Sequence, residues 1–203
     1  MNLTLSVVVA TLSLLVFNEV SALQCNEGII NNVLKLASCP TNMLQKLHAI
    51  SPATIATLDD SGTHRVFKCA EASFQAPQHN KGNASFTAYF RDESKAPLQT
   101  FYHLEEVGCG HMHQTHDGEH FNGYFLLVDK IACFYRCPIA PTEGIGSAGA
   151  AIPMNNQYDL GVKAQLLTCK LALAAAGFLD ALIDVDTCAA PTVPRLNVLG
   201  IGL

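Results

Sequence analysis

The sequence predicts a mainly β chain with some α: an antiparallel up-and-down β-barrel, a short N-terminal helix, and a long C-terminal helix packed outside. Three observations carry this. Between residues 65 and 137, short runs alternate apolar and polar side chains with period two, separated by turn-rich loops. FNGYFLLVDKIACFYRC (121–137) reads as two strands joined at Asp129-Lys130, a polar pair between two apolar, aromatic and β-branched runs. Downstream, 160–182 is rich in Ala and Leu at helical intervals and is interrupted once, at Gly177. A long apolar hairpin needs further strands or a covering helix. Closing a meander of five to eight strands removes its edges, and eight strands leave room for one small ligand.

The first element is not part of the fold. Residues 3–17 are apolar with only Thr and Ser interruptions, and Val20-Ser21-Ala22 supplies the small residues a signal peptidase reads. Residues 1–22 are therefore expected to be a secretory signal peptide, and the product extracellular. The run is short for a membrane span. Loss of Glu19 leaves 16 acidic against 12 basic side chains. That balance argues against a nucleic-acid partner, and no membrane partner is expected. The rest, 23–190, has the length of one domain, expected to be monomeric, followed by an apolar tail at 191–203.

In the mature chain, 25–47 has helical spacing, with Ile29, Ile30, Val33, Leu34 and Leu36 on one stripe broken at Cys39-Pro40. Asn42 is placed to cap a second short helix, 43–48. Residues 50–58 fit strand or loop, and 59–62 is a turn. Residues 65–74 form the first firm strand, and 75–83 a hairpin loop. In 84–90, Ala84, Phe86, Ala88 and Phe90 share one face, with Ser85, Thr87 and Tyr89 on the other. After a charged loop, 98–107 alternates again: Leu98, Thr100, Tyr102 and Leu104 oppose Gln99, Phe101 and His103. A His-rich loop, 108–120, precedes the hairpin. Residues 138–153, rich in Pro, Gly and Ala, are expected to hold no regular element. Residues 185–188 close the domain as a short strand.

Cys25, Cys39, Cys69, Cys109, Cys133, Cys137, Cys169 and Cys188 all survive signal cleavage, and an even number in an exported chain reads as four disulfides of open connectivity. Asn83-Ala84-Ser85 is a glycosylation sequon. His111, His113, His116 and His120 lie within ten residues. In a strand His111 and His113 share a face, so a metal site is the alternative function, weighed against a solvated polar loop. Gly144-Ile-Gly-Ser-Ala-Gly149 matches a dinucleotide fingerprint but lacks the strand–helix context, and reads as loop. Glu105 and Glu106 point to opposite faces and cannot share a site. Nothing indicates catalysis or a cofactor. The aromatic residues of the strands point instead to a pocket for a small hydrophobic or amphipathic ligand. Its expected wall carries Tyr89, Phe101 and His103, joined by Tyr124 and Phe134. A cavity-free domain used for protein contacts is the other alternative.

HRVFKCAEASF (64–74), NASFTAYFRDESKAPLQTFYHLE (83–105) and the 121–137 hairpin together resemble tick-type arthropod salivary lipocalins, over roughly residues 60–188. The chain departs from the general lipocalin pattern in having no Trp, and hence no Gly-x-Trp signature. The elements associated with biogenic-amine binders are also absent. The resemblance implies a secreted salivary carrier that sequesters a mediator such as an eicosanoid, or binds a host or other extracellular protein. It also implies the bridges Cys69–Cys188, and Cys169 to either Cys133 or Cys137.

Overall fold

The computed structural model describes residues 25–37, 39, 41–59, 66–140, 142, 146–156, 158–180, 182–185 and 188. The expected signal peptide and the apolar tail lie outside them. Eight strands meander in sequence: β1 (Ala53–Asp59), β2 (Phe67–Phe74), β3 (Lys81–Phe90), β4 (Leu98–Gly108), β5 (His111–His116), β6 (Glu119–Val128), β7 (Ala132–Ile139) and β8 (Ser147–Pro153). Each pairs antiparallel with the next, and β8 returns to β1. Ala53 opposite Ala72 and Thr54 opposite Glu71 join β1 to β2, so the ring closes. Beyond that point β1 parts from β2, and β9 (Leu182–Asp184) takes its place, with Thr57 opposite Asp184. Buried Thr54 and Thr57 remain satisfied here: their hydroxyls donate to Ala70 O and Ile183 O.

The expected barrel, short N-terminal helix and outer C-terminal helix are all present, and several local readings change. Residues 53–59 resolve as strand β1. The His-rich segment is a strand, β5, because tight turns with positive φ at Gly110 and at Asp117-Gly118 flank it and let it pair on both sides. The Pro/Gly/Ala-rich segment contains β8. Small residues are what this place in the barrel requires: Ala148 and Ala150 are fully buried against the outer helix layer. A Cβ on Gly149 would lie 2.6 Å from Thr57 O and 3.3 Å from Phe134 Cζ. Among the described residues the last strand is 182–184, and the expected strand 185–188 falls partly on residues 186 and 187, which lie outside them.

Helix α1 (Glu27–Leu36) begins where the Asn26 side chain accepts the Ile29 N–H. α2 (Met43–Ala49) starts after Asn42, which adopts φ +56° and makes no side-chain cap. α3 (Leu160–Ala175) is capped by Asp159, which accepts from Val162 N–H at 3.0 Å. It stops short of the expected 182 because Gly177, at φ +95°, reverses the chain and lets Phe178 N–H bond Leu173 O at 3.0 Å. That reversal frees the chain to run back as β9, tied to α3 by Lys170–Asp184.

Two cores result. Inside the barrel, Met43, Leu44 and Leu47 of α2 close one end against Leu104, Met112, Phe125, Val128 and Ala132. Outside, α1 and α3 cover β6 to β8, packing Val33, Val162 and Leu173 on Tyr124, Leu126, Cys133 and Tyr135. Each fully buried aliphatic side chain contributes about 1.5–3 kcal/mol. Four disulfides pin this arrangement: Cys25–Cys137, Cys39–Cys109, Cys69–Cys188 and Cys133–Cys169. Cys133, not Cys137, therefore reaches α3. Its bridge spans 36 residues, and a loop of that size is stabilised by about 4 kcal/mol in the chain-entropy model. Among the described residues no helix is long and apolar enough to cross a membrane.

Candidate ligand cavity

Strand parity decides which side chains meet inside. On β3 and β4 the inward face is that of Ala84 and Phe86 and of Tyr102 and Leu104. The expected wall of Tyr89, Phe101 and His103 is therefore the outward one. Phe101 is 62 % exposed. His103 is exposed and its Nδ1 lies 2.8 Å from Asn83 Oδ1. Tyr89 donates to Glu71 Oε2 at 3.4 Å on the outer surface, and partial burial, with Glu71 beside it, holds its phenol above the usual range. Tyr124 sits in the outer core, stacked on His111, with burial raising its phenol and the Asn122 hydrogen bond opposing that rise. Of the five expected residues only Phe134 faces the interior. The expectation failed because mixed aromatic and polar character marks a half-exposed outer face as readily as a pocket, whereas the inner face of β3 and β4 is mostly apolar.

The barrel encloses a cavity of about 310 Å³. Its walls are Leu47, Ile55, Leu58, Ala72, Phe74, Phe86, Leu104, Met112, Phe125, Ala132, Phe134 and Ala151, with Tyr102, Gln114, Arg136 and Ser147 as the polar groups. This is the composition of a small-molecule site, apolar with a few placed polar groups, and the volume lies at the small end of the range for such sites. The edge-to-face contacts of Phe86 with Phe74 and with Tyr102 keep the aromatic side of the wall packed.

The polar groups gather away from the α2 plug. On β5, Met112 lies toward the plug and Gln114 beyond it; on β7, Ala132, Phe134 and Arg136 follow the same order. Arg136 Nε donates to Gln114 Oε1 at 2.8 Å. Gln114 reaches across because Gly123 intervenes: a Cβ there would fall 2.8 Å from Gln114 Nε2. The Phe121 ring lies under the guanidinium, 3.5 Å from centroid to Cζ, and the Tyr102 ring lies 5.2 Å away. Burial pulls the guanidinium below its ordinary value, with Tyr102 and Glu119 opposing, and it remains a cation at neutral pH. Its Nη2 is buried and has no hydrogen-bond partner among the described residues.

Sequence reasoning passed over Arg136 and Gln114. One signal was available for the first. In ACFYRC, Cys133 and Cys137 share a face, so bridges from them to covering helices would turn Arg136, of opposite parity, inward.

The four histidines do not converge. His111 and His113 lie on the outer face with ring centroids 5.2 Å apart, and His111 is engaged by Asn122 and Tyr124. His116 turns to the opposite face, against the Tyr102 ring and Phe101 O. His120 pairs with Thr115 across the β5–β6 hairpin. Alternation in β5 separates what proximity in sequence brought together. Among the described residues no group of three or more His, Cys, Asp or Glu side chains is placed to hold a metal ion.

No family model matches the chain, and no curated protein matches it significantly. Solved structures do match its fold. The siderocalin Ex-FABP superposes with a TM-score of 0.50 at 9% identity, over 68% of this chain and 89% of that one. Lobster apocrustacyanin A1 superposes with a TM-score of 0.50 at 16% identity, over 75% of this chain and 90% of its own. The chain has the lipocalin fold. Japanin from Rhipicephalus appendiculatus, solved bound to cholesterol, is a looser match, with a TM-score of 0.45 at 7% identity over 64% of this chain and 91% of that one. The lipocalin barrel of this chain carries one strand beyond the eight, β9, and keeps the closed-end plug and outer helix described above.

Proposed function

We propose that the protein is a secreted carrier or scavenger that takes one small hydrophobic or amphipathic molecule into the barrel and performs no catalysis. The observation that carries this is the cavity of about 310 Å³, walled by Phe, Leu, Met and Ala side chains, in a barrel closed by α2. Apolar ligand surface buried there contributes about 25 cal/mol per Å². The likeness to a siderocalin described as acting through dual ligand specificities supports the same reading at the level of fold. Four bridges among eight cysteines, with no free thiol, suit an oxidising extracellular compartment. The sequon Asn83 is exposed and lies in β3 rather than in a loop, its amide donating to Gln75 Oε1; we take it as the glycan acceptor.

One experiment tests the reading. The protein secreted from eukaryotic cells is titrated with the neutral apolar probe N-phenyl-1-naphthylamine and followed by fluorescence and by native mass spectrometry, before and after deglycosylation. Saturable uptake of one probe per chain is expected, with a glycan mass assigned to Asn83. Failure to take up this or any other apolar probe would remove the carrier reading, and an unmodified Asn83 would remove the glycan.

A further inference from the structure

We infer that the molecule carried is a single-chain amphiphile with a compact oxyanion head, a carboxylate or a phosphate, held by Arg136 with its chain among the phenylalanines. The inference rests on the carrier reading above and names the ligand class of that site.

Among the described residues Arg136 is the one charged side chain on the cavity wall, and none of them places a carboxylate on that wall. A buried cation is costly, and the Glu119 carboxylate that favours its charged form lies off the cavity wall. The protein offsets part of this cost with Gln114 on Nε and with the Phe121 face under Cζ. Both leave Nη2 without an acceptor, although nearly all buried polar groups in folded proteins have a partner. Stacking on Phe121 occupies the flat face of the guanidinium, so what is left to a ligand is its donor edge. That edge matches the paired oxygens of a carboxylate or phosphate.

The remainder of the site limits the rest of the molecule. The apolar wall runs from Arg136 past Phe134 to Ala132 and the α2 plug, so head and tail have separate places along one axis. About 310 Å³ accommodates one acyl chain and not two. The chain as a whole carries a net charge of −5, which repels anions at long range. Selection of an anionic head must therefore be local, and Arg136 is where the cavity wall supplies it.

The test uses four probes of equal chain length: dodecanoate, dodecyl phosphate, dodecan-1-ol and dodecylammonium, each displacing N-phenyl-1-naphthylamine near pH 8. One or both oxyanions should bind at least about tenfold more tightly than the alcohol, and the ammonium most weakly. The stronger oxyanion identifies the head. In Arg136→Met this preference should shrink to within about threefold, while the alcohol keeps its affinity. If R136M does not fold, the wild-type ranking alone decides, with Arg136→Lys expected to keep the oxyanion preference at reduced size. Equal binding of oxyanion and alcohol by the wild type, or an undiminished preference in R136M, overturns the assignment and leaves the carrier reading standing. If none of the probes enters, both fall.

Discussion

Filling the cavity from its own wall should stabilise the protein and disable it. Ala132 is 2 % exposed, lies on the cavity wall, and pairs with Val128 on one side and Ala151 on the other. Ala132→Leu adds three carbons pointing into the apolar space. At about 0.8 kcal/mol per buried methylene they contribute about 2.4 kcal/mol. Fixing the leucine rotamer costs about 0.5–1 kcal/mol. The net is a gain of about 1.5–2 kcal/mol, which for a chain of this length raises Tm by about 3–8 °C. Calorimetry on the oxidised, ligand-free protein measures this, and titration with N-phenyl-1-naphthylamine should show at least a tenfold loss of affinity, since the side chain occupies the ligand's volume. The reasoning is refuted if Tm falls by several degrees while probe binding is unchanged. That outcome means the leucine overpacks a filled interior, which costs about 1–3 kcal/mol.

Two further outcomes follow from the same structure. Phe86→Ala should weaken probe uptake and destabilise the barrel by about 2–3 kcal/mol, while Phe101→Ala, on the exposed face, should change either by no more than about 0.5 kcal/mol; equal effects in binding and chemical denaturation would reverse the strand parity. The Val162 N–H, and secondarily Lys130, hold the Asp159 carboxyl below its ordinary range. The stability this contributes is present above the unfolded carboxylate pKa and is lost as pH falls through the lower folded-state value. The Tm of Asp159→Ala should therefore lie below that of the wild type at neutral pH, and the gap should close in acid. A gap constant down to pH 2 would contradict the cap.

Much of this architecture was legible from local pattern. Period-two alternation over 84–90 and 98–107 announces β3 and β4 because each strand buries one face. The polar pair Asp129-Lys130 announces the β6–β7 turn, and the Ala/Leu run announces α3. What misled was composition standing in for environment. The His-rich stretch looked like a solvated loop, yet its alternate residues Met112 and Gln114 face the interior. The Ala/Gly stretch of β8 looked irregular, since small residues carry almost no propensity signal. They are required there by contact with Thr57, Phe134 and α3, which the stretch's own residues do not reveal.

By itself the sequence determined which residues share a face, where the chain turns, and that sulfur would tie it together. The first two are properties of residues within a few positions of one another, and the third is a property of the cysteine count. Only the tertiary structure decided which face is inside, that Cys133 rather than Cys137 reaches α3, and that Arg136 lies beside Gln114, Tyr102 and Phe121. The physical reason is the same in each case. An alternating strand is nearly symmetric between its two faces until ring closure and the outer helices make one of them dry. The Arg136 guanidinium acquires its meaning only from Tyr102, Gln114 and Phe121, which three other strands bring to it.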